Sequence, residues 1–230
     1  MNERNIVLEN VFTPDEVKDI RAAIDHELST RKVVEWDDAV DSNWHQWPII
    51  RIKRNNLGRL DINEVPMPSS IVDKVVKIAQ ENSQIDSEVK SLISVTYAEY
   101  NLKYGQPKLE VHKDNDPVRT EPDPEGPEGI YMPPPGAAGV VLTYQLESNI
   151  SWQVGNNKEL YTIPDNGLLM LYPRRDYHWR AVRDWQEGEF VRVLFFEMLT
   201  PNLPPVVEDK EFEREVRDFR AHLGGNNENR

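Results

Sequence analysis

The chain has 230 residues, 38% hydrophobic and 29% charged, which suits one well-filled core, and a single domain over 1–223 with a disordered tail at 224–230 is expected. Acidic residues outnumber basic ones 40 to 27, for a formal charge of −13, which disfavours a nucleic-acid partner. The lack of cysteine excludes disulfides, thiolate metal sites and a cysteine nucleophile, so any metal must be held by His, Asp and Glu. No apolar run approaches bilayer length and MNERNIVLEN lacks the order of a secretory signal, so no membrane partner and a cytoplasmic location are expected.

The first element is a helix over about Pro14–Ser29. Thr13 stands at the N-cap, Pro14 at the first helical position and Glu16 three residues after the cap, followed by an apolar stripe of Val17, Ile20, Ile24 and Leu28. HQWPIIRIKR reads as a strand. SSIVDKVVKIAQEN predicts a second helix, with Ile71, Val75, Ile78 and Ala79 on one face, so residues 1–90 read chiefly as helical support. From 91 to 200 the pattern becomes short β-rich runs separated by Pro, Gly and Asn: SLISVTYAEY, KLEVHKD, AGVVLTYQL, ELYTI, GLLMLYP, YHWRAV and EFVRVLFFEML. Seven such runs favour a closed double sheet over alternating strand and helix. Within them the segment 116–139, dense in proline and glycine, is expected to form a long loop and is a candidate lid. A last helix over 207–223 aligns Phe212, Val216, Phe219 and Leu223.

In KLEVHKDNDP, His112 and Asp114 stand two apart in a predicted strand and so share a face, which makes them two corners of a metal site. Of the other histidines, His26 and His222 fall on terminal helices and His45 lies between Trp44 and Trp47, whereas His178 opens a β-rich run. Two histidines and a carboxylate form the facial triad of non-haem iron, though zinc hydrolases use the same donors. The discriminating feature is a co-substrate anchor. Arg192, in the apolar run VRVLFF, is expected opposite or diagonal to His178 across a hairpin near Trp185, where its fork suits a carboxylate; the competing reading pairs it with Glu189 or Glu197 at the surface.

Taken in order from Tyr100 to Phe196, YNLKYGQPKLEVHKD, VVLTYQLESNISWQVGNNKELYTI, IPDNGLLMLYPRRDYHWRAV and EFVRVLFFEM resemble the 2-oxoglutarate- and Fe(II)-dependent dioxygenase superfamily, in its prolyl-hydroxylase-like branch. The helix entrance NVFTPDEVKDI is similar as well. The resemblance implies a mainly β fold, a double-stranded β-helix or jelly-roll (cupin-like) barrel with flanking helices. It implies that His112, Asp114 and His178 hold Fe(II) at the catalytic centre, that Arg192 binds the far carboxylate of 2-oxoglutarate, and that Tyr100 hydrogen-bonds it. The implied activity consumes O2 and couples oxidative decarboxylation of 2-oxoglutarate to hydroxylation of a small-molecule, amino-acid or peptidyl substrate. The chain departs from the pattern at Leu194, where many members have serine, and at NNK, where they have Gly-Gly. Arg180, on the same strand face as His178, is a candidate for substrate, as are Arg119 and Tyr131 in the proline-rich loop. The alternative is a metal- or ligand-binding barrel without 2-oxoglutarate turnover.

Overall fold

The structure is a computed structural model that describes residues 5–35, 49–53, 58–83, 88–107, 109–114, 130–131 and 138–225. In chain order the elements are β1 (Val7–Leu8), α1 (Pro14–Thr30), β2 (Lys32–Glu35), β3 (Ile49–Lys53), β4 (Arg59–Ile62), α2 (Ser69–Asn82), β5 (Ser91–Asn101), β6 (Ile130–Tyr131) and β7 (Ala138–Ser148). They continue with β8 (Trp152–Asn156), β9 (Glu159–Ile163), β10 (Gly167–Leu171), β11 (His178–Arg180), β12 (Phe190–Leu199), β13 (Val206–Val207) and α3 (Lys210–Gly225).

The capping box at α1 forms as read: Thr13 Oγ1 accepts from the Glu16 N–H, and the Glu16 carboxylate accepts from the Thr13 N–H. α2 has the predicted extent. α3 starts later than expected and runs through Gly225, so 224–225, expected in the tail, are helical; 226–230 lie outside the described residues.

Strands β1, β10, β7, β12, β5, β4, β3 and β2 form one large sheet in that order, and β11, β8 and β9 form a small one. The two sheets face each other, which is the double-stranded β-helix. The first 90 residues are therefore less purely helical than expected, because β2, β3 and β4 extend the large sheet beyond β5. One face of the large sheet packs Val95, Tyr97, Leu142, Tyr144, Leu194 and Phe196 against Ile20 and Ile24 of α1 and Ile71 and Val75 of α2. Its other face, with Ala98, Tyr100, Val191 and Val193, closes on Trp152 and Val154 of the small sheet. The outside of the small sheet is covered by α3, whose Val216 is buried with Trp179 and Tyr177.

Two connections differ from the sequence reading. β11 and β12 do not form a hairpin: β11 pairs with β8 in the small sheet, while β12 pairs with β5 and β7 in the large one. Successive strands of a jelly roll cross between sheets, so adjacency in sequence does not give a shared ladder. The segment 116–139 pairs in part, since Ile130–Tyr131 ladders with Val206–Val207 and Ala138–Gly139 open β7; the rest, and hence the expected lid, lies outside the described residues.

Small-sheet geometry depends on a close approach at Gly155. A Cβ built there would lie 2.0 Å from the indole of Trp179, which is fully buried and stands edge-on to Phe219 of α3 at 6.1 Å. Gly155→Ala is expected to cost about 1–3 kcal/mol through overpacking, read as a lower urea midpoint with unchanged slope. An unchanged midpoint would show that Trp179 can move aside.

Candidate metal centre and its cavity

The H-x-D segment forms no regular strand. His112 makes a single antiparallel bridge to His178, with the His178 N–H donating to the His112 carbonyl at 2.9 Å and the His112 N–H to the His178 carbonyl at 3.2 Å. Asp114 is tied down by its own N–H, which donates to the Pro173 carbonyl at 2.8 Å. These three backbone contacts bring the side chains together. The ligand atoms of His112, Asp114 and His178 lie within 4.8 Å of one another. Asp114 Oδ1 is 3.5 Å from His112 Nε2 and 3.4 Å from His178 Nε2, longer than a good hydrogen bond and suited to a cation shared between the three.

The hydrogen bond at His112 Nδ1 fits as well. His112 Nδ1 is 2.7 Å from the Glu110 carbonyl, which sets that nitrogen as the donor and leaves the Nε2 lone pair facing Asp114. Desolvation lowers the His112 pKa, but the hydrogen bond and charge of Asp114 outweigh it and the net shift is upward. Desolvation likewise opposes ionisation of Asp114, and the charge and hydrogen bonds of His178 and His112 prevail, holding its carboxyl well below the ordinary range. Two imidazoles and one ionised carboxylate on one side of a cation suit Fe(II) and its neighbours, with positions left for exogenous ligands.

A cavity of about 530 Å3 opens in front of the triad between the sheets. Its walls include Leu109, Val141, Leu171 and Phe195, and its polar lining includes Arg51, Arg59, Asp61, Thr143, Arg180 and Glu197. Arg180 follows His178 by two on β11, shares its face, and is 6% exposed. Its Nη2 donates to Tyr100 Oη, its guanidinium lies 3.7 Å from the Tyr100 ring centroid, and burial lowers its pKa to about 10. Arg59 Nη1 donates to the same phenol oxygen at 2.6 Å and is ion-paired to Asp61 at 2.6 Å. Tyr100 thus accepts two guanidinium N–H groups, which leaves its own proton to donate elsewhere. Arg180 Nη1, Trp152 Nε1 and Thr143 Oγ1, all on residues that line the cavity, are buried without a hydrogen-bond partner among the described residues. Buried donors of this kind are satisfied in almost all proteins, so their clustering points to a polar ligand.

Arg192 is elsewhere. Side chains alternate along β12, and Arg192 falls on the face that carries Leu194 and Phe196 towards the helices, while Phe195 and Glu197 face the cavity. Its Nε donates to Glu99 at 3.0 Å and its Nη1 to Glu147, which also accepts from Arg21 of α1. The expectation that Arg192 meets a carboxylate near His178 is corrected: it knits β5, β12, β7 and α1 on the opposite face. Its partners also differ from the Glu189 and Glu197 of the competing reading. Arg119 and the side chain of Tyr131 lie outside the described residues. Sequence reading passed over Arg51, Arg59 and Asp61; the signal was there in IIRIK and RLDI, where charged residues alternate with apolar ones as in a two-faced strand.

α3 braces the site from behind. Arg217 Nη2 donates to the Val111 carbonyl at 3.0 Å and Arg220 Nε to the Arg180 carbonyl at 3.0 Å, so both ligand-bearing segments hang from one helix.

No protein-family model and no curated protein matches the chain. Among solved structures it is similar to a prolyl hydroxylase from Trichoplax adhaerens in complex with a hypoxia inducible factor oxygen degradation domain peptide. That match has a TM-score of 0.50 at 13% identity over 93% of this chain and 86% of that one. HygX from Streptomyces hygroscopicus, with nickel, 2-oxoglutarate and hygromycin B bound, matches at 0.48 and 12% over 86% and 83%. A 2OG-Fe(II) oxygenase family oxidoreductase from Burkholderia pseudomallei matches at 0.46 and 10% over 87% and 88%. The chain therefore shares the fold of the Trichoplax prolyl hydroxylase, a double-stranded β-helix. Among the described residues no helix is long and apolar enough to cross a membrane.

Cobalt(II) titrated into the purified protein should bind at one site. Affinity should fall about 10–100-fold in Arg217→Ala, which touches no ligand, and further in Asp114→Ala. Equal affinity in wild type and Asp114→Ala would remove the triad as the metal centre.

Proposed function

We propose that the protein is a 2-oxoglutarate-dependent Fe(II) oxygenase acting on a small-molecule, amino-acid or peptidyl substrate, with hydroxylation as its reaction. His112, Asp114 and His178 would hold the metal. The guanidinium of Arg180 and the phenol of Tyr100 would take the far carboxylate of 2-oxoglutarate, the role the sequence reading gave to Arg192. When bound, ferrous iron supplies the redox chemistry that couples oxidative decarboxylation of 2-oxoglutarate by O2 to oxidation of a C–H bond.

The observation that carries this reading is a group of three metal-competent side chains and a buried guanidinium lining one cavity, with His178 and Arg180 on one strand. Alternate residues of a strand are about 6.6 Å apart, comparable to the extended length of a five-carbon diacid, so His178 and Arg180 are spaced to hold its two ends. Arg180 is costly to bury as a cation, because the nearby Asp61 is already ion-paired to Arg59, and an incoming carboxylate supplies further negative charge. The chain's remaining contributions are orientation and exclusion of water: Leu109, Val141, Leu171 and Phe195 give the cavity apolar walls, and the strand pairing of β11 with β8 keeps the ligand histidine and the anchor rigid.

The likeness to a prolyl hydroxylase shows the fold alone, so activity rests on the test. Anaerobic protein with Fe(II) should bind 2-oxoglutarate, and in air it should release succinate. Arg180→Met should weaken 2-oxoglutarate binding by about 2–3 kcal/mol, roughly 30–150-fold, with cobalt(II) affinity kept. Arg192→Met should lower thermal stability and leave 2-oxoglutarate affinity within about threefold. Metal binding with no 2-oxoglutarate binding in the wild type would instead support the barrel without turnover.

A further inference from the structure

A second cavity, of about 500 Å3, adjoins the first and has no part in the proposed reaction. Trp152 and Arg180 line both cavities and form the wall between them. Leu160 of β9, Leu223 of α3, and Val182 and Trp185 of the β11–β12 connection give the second cavity its apolar sides. Its floor is buried, with Trp152, Arg180 and Trp185 at 4%, 6% and 7% exposed, and its rim is open to solvent at Val182, 48% exposed.

Two guanidiniums lie against two indoles here. Arg180 is 5.0 Å from the Trp152 ring centroid and Arg183 5.3 Å from that of Trp185, and the indoles meet edge-on at 6.4 Å. Three lining residues keep a buried nitrogen with no hydrogen-bond partner among the described residues: Trp152 Nε1, Arg180 Nη1 and Arg183 Nε. All three are donors, and no described lining residue keeps a buried acceptor in that state. A buried N–H left unmet costs about 1–3 kcal/mol, so an occupant rich in acceptors is favoured. The donors of Trp152 and Arg180 can be met from either cavity. Arg183 lines only the second, and 2-oxoglutarate held between the metal and Arg180 leaves its Nε as it was. The Nη2 edge of Arg183 is already taken by Glu189 at 2.6 Å, and Asp184, the one carboxylate among the described lining residues, is exposed. A carboxylate offers two oxygens to these N–H groups and makes the stronger, charge-assisted bond to a guanidinium.

We propose that the second cavity binds a small apolar acid, its carboxylate accepting from Arg183 Nε and Trp152 Nε1 and its hydrocarbon body lying on Leu160, Val182, Trp185 and Leu223. A volume of about 500 Å3 suits an aryl-alkanoic or medium-chain fatty acid. The site needs neither metal nor 2-oxoglutarate, so it stands independently of the oxygenase reading. Because Trp152 also stacks on Tyr100, with centroids 5.1 Å apart, an occupant sits one ring away from the proposed 2-oxoglutarate anchor.

The test follows ligands by NMR on the full chain, metal-free and again with nickel(II) and saturating 2-oxoglutarate. 4-Phenylbutyrate and hexanoate are each compared with their amides, acetate serves as an acid without an apolar body, and phosphate is a separate arm. At least one of the two larger acids should bind about tenfold or more tightly than its amide and than acetate, and should stay bound when 2-oxoglutarate fills the metal cavity. Arg183→Met should erase the preference for acid over amide. Val182→Glu, at an exposed position where folding is not at stake, should weaken the acid about tenfold or more. Both variants should keep cobalt(II) affinity. Acids and amides binding alike, no acid binding, displacement by 2-oxoglutarate, an acid indifferent to Val182→Glu, or phosphate alone binding would each overturn the proposal. Failure of the wild type to bind 2-oxoglutarate would instead overturn the oxygenase reading and leave this site standing, so the two failures are distinct.

Discussion

Everything at the centre of this molecule hangs on one antiparallel bridge. The two backbone hydrogen bonds between His112 and His178 join a segment that is otherwise irregular to a strand only three residues long. Neither piece would hold a ligand still by itself. A three-residue strand offers little ladder, and the segment around His112 follows Pro107 and precedes Pro117, which limits how far it can extend into a sheet. The bridge is stabilised from behind by two arginines of α3 bonded to the Val111 and Arg180 carbonyls, contacts worth about 1.5–3 kcal/mol each as bonds from charged donors. The amphipathic C-terminal helix thus shapes the site without reaching into it.

The two arginine systems of the core show how one strand periodicity separates stability from binding. On the helix side of the large sheet, Arg21, Glu147, Arg192, Glu99 and Lys103 form an alternating chain in which each charge meets its opposite. Such a chain is internally complete and needs nothing from outside. On the cavity side, Arg59 and Asp61 are paired, Tyr100 is shared by two guanidiniums, and Arg180 keeps a buried nitrogen without an acceptor among the described residues. Complete networks stabilise a fold, and incomplete ones identify a site, because the missing partner must come from the ligand.

This contrast also explains what could be read from the sequence. The helices were legible because caps and a 3.6-residue apolar stripe are local signals, as at Thr13, Pro14 and Glu16. The H-x-D pair and His178 were legible as donors, and the barrel as a run of short β segments. What failed was the choice between faces. VRVLFF is apolar on both sides because β12 is central in its sheet and covered on both faces, so nothing in its pattern says which way Arg192 points. The assumed hairpin then supplied the wrong answer, since β11 and β12 belong to different sheets. β4 was missed for a related reason: RLDI is only four residues, and its charged half turns inwards, where binding rather than burial decides composition.

On the proposed reading, the placement of Arg180 has a mechanical consequence. Where metal ligand and anchor sit on different sheets, the distance between them changes whenever the sheets shift. Here His178 and Arg180 are alternate residues of one strand, locked to Asn156 and Val154 of β8, so the pleat itself fixes the separation of metal and distal carboxylate. Motion between the sheets leaves the His178–Arg180 spacing unchanged and moves only Tyr100, which β5 of the large sheet carries, relative to it. The extension of the large sheet by β4 and β3 carries Arg59, Asp61 and Arg51 to the cavity wall.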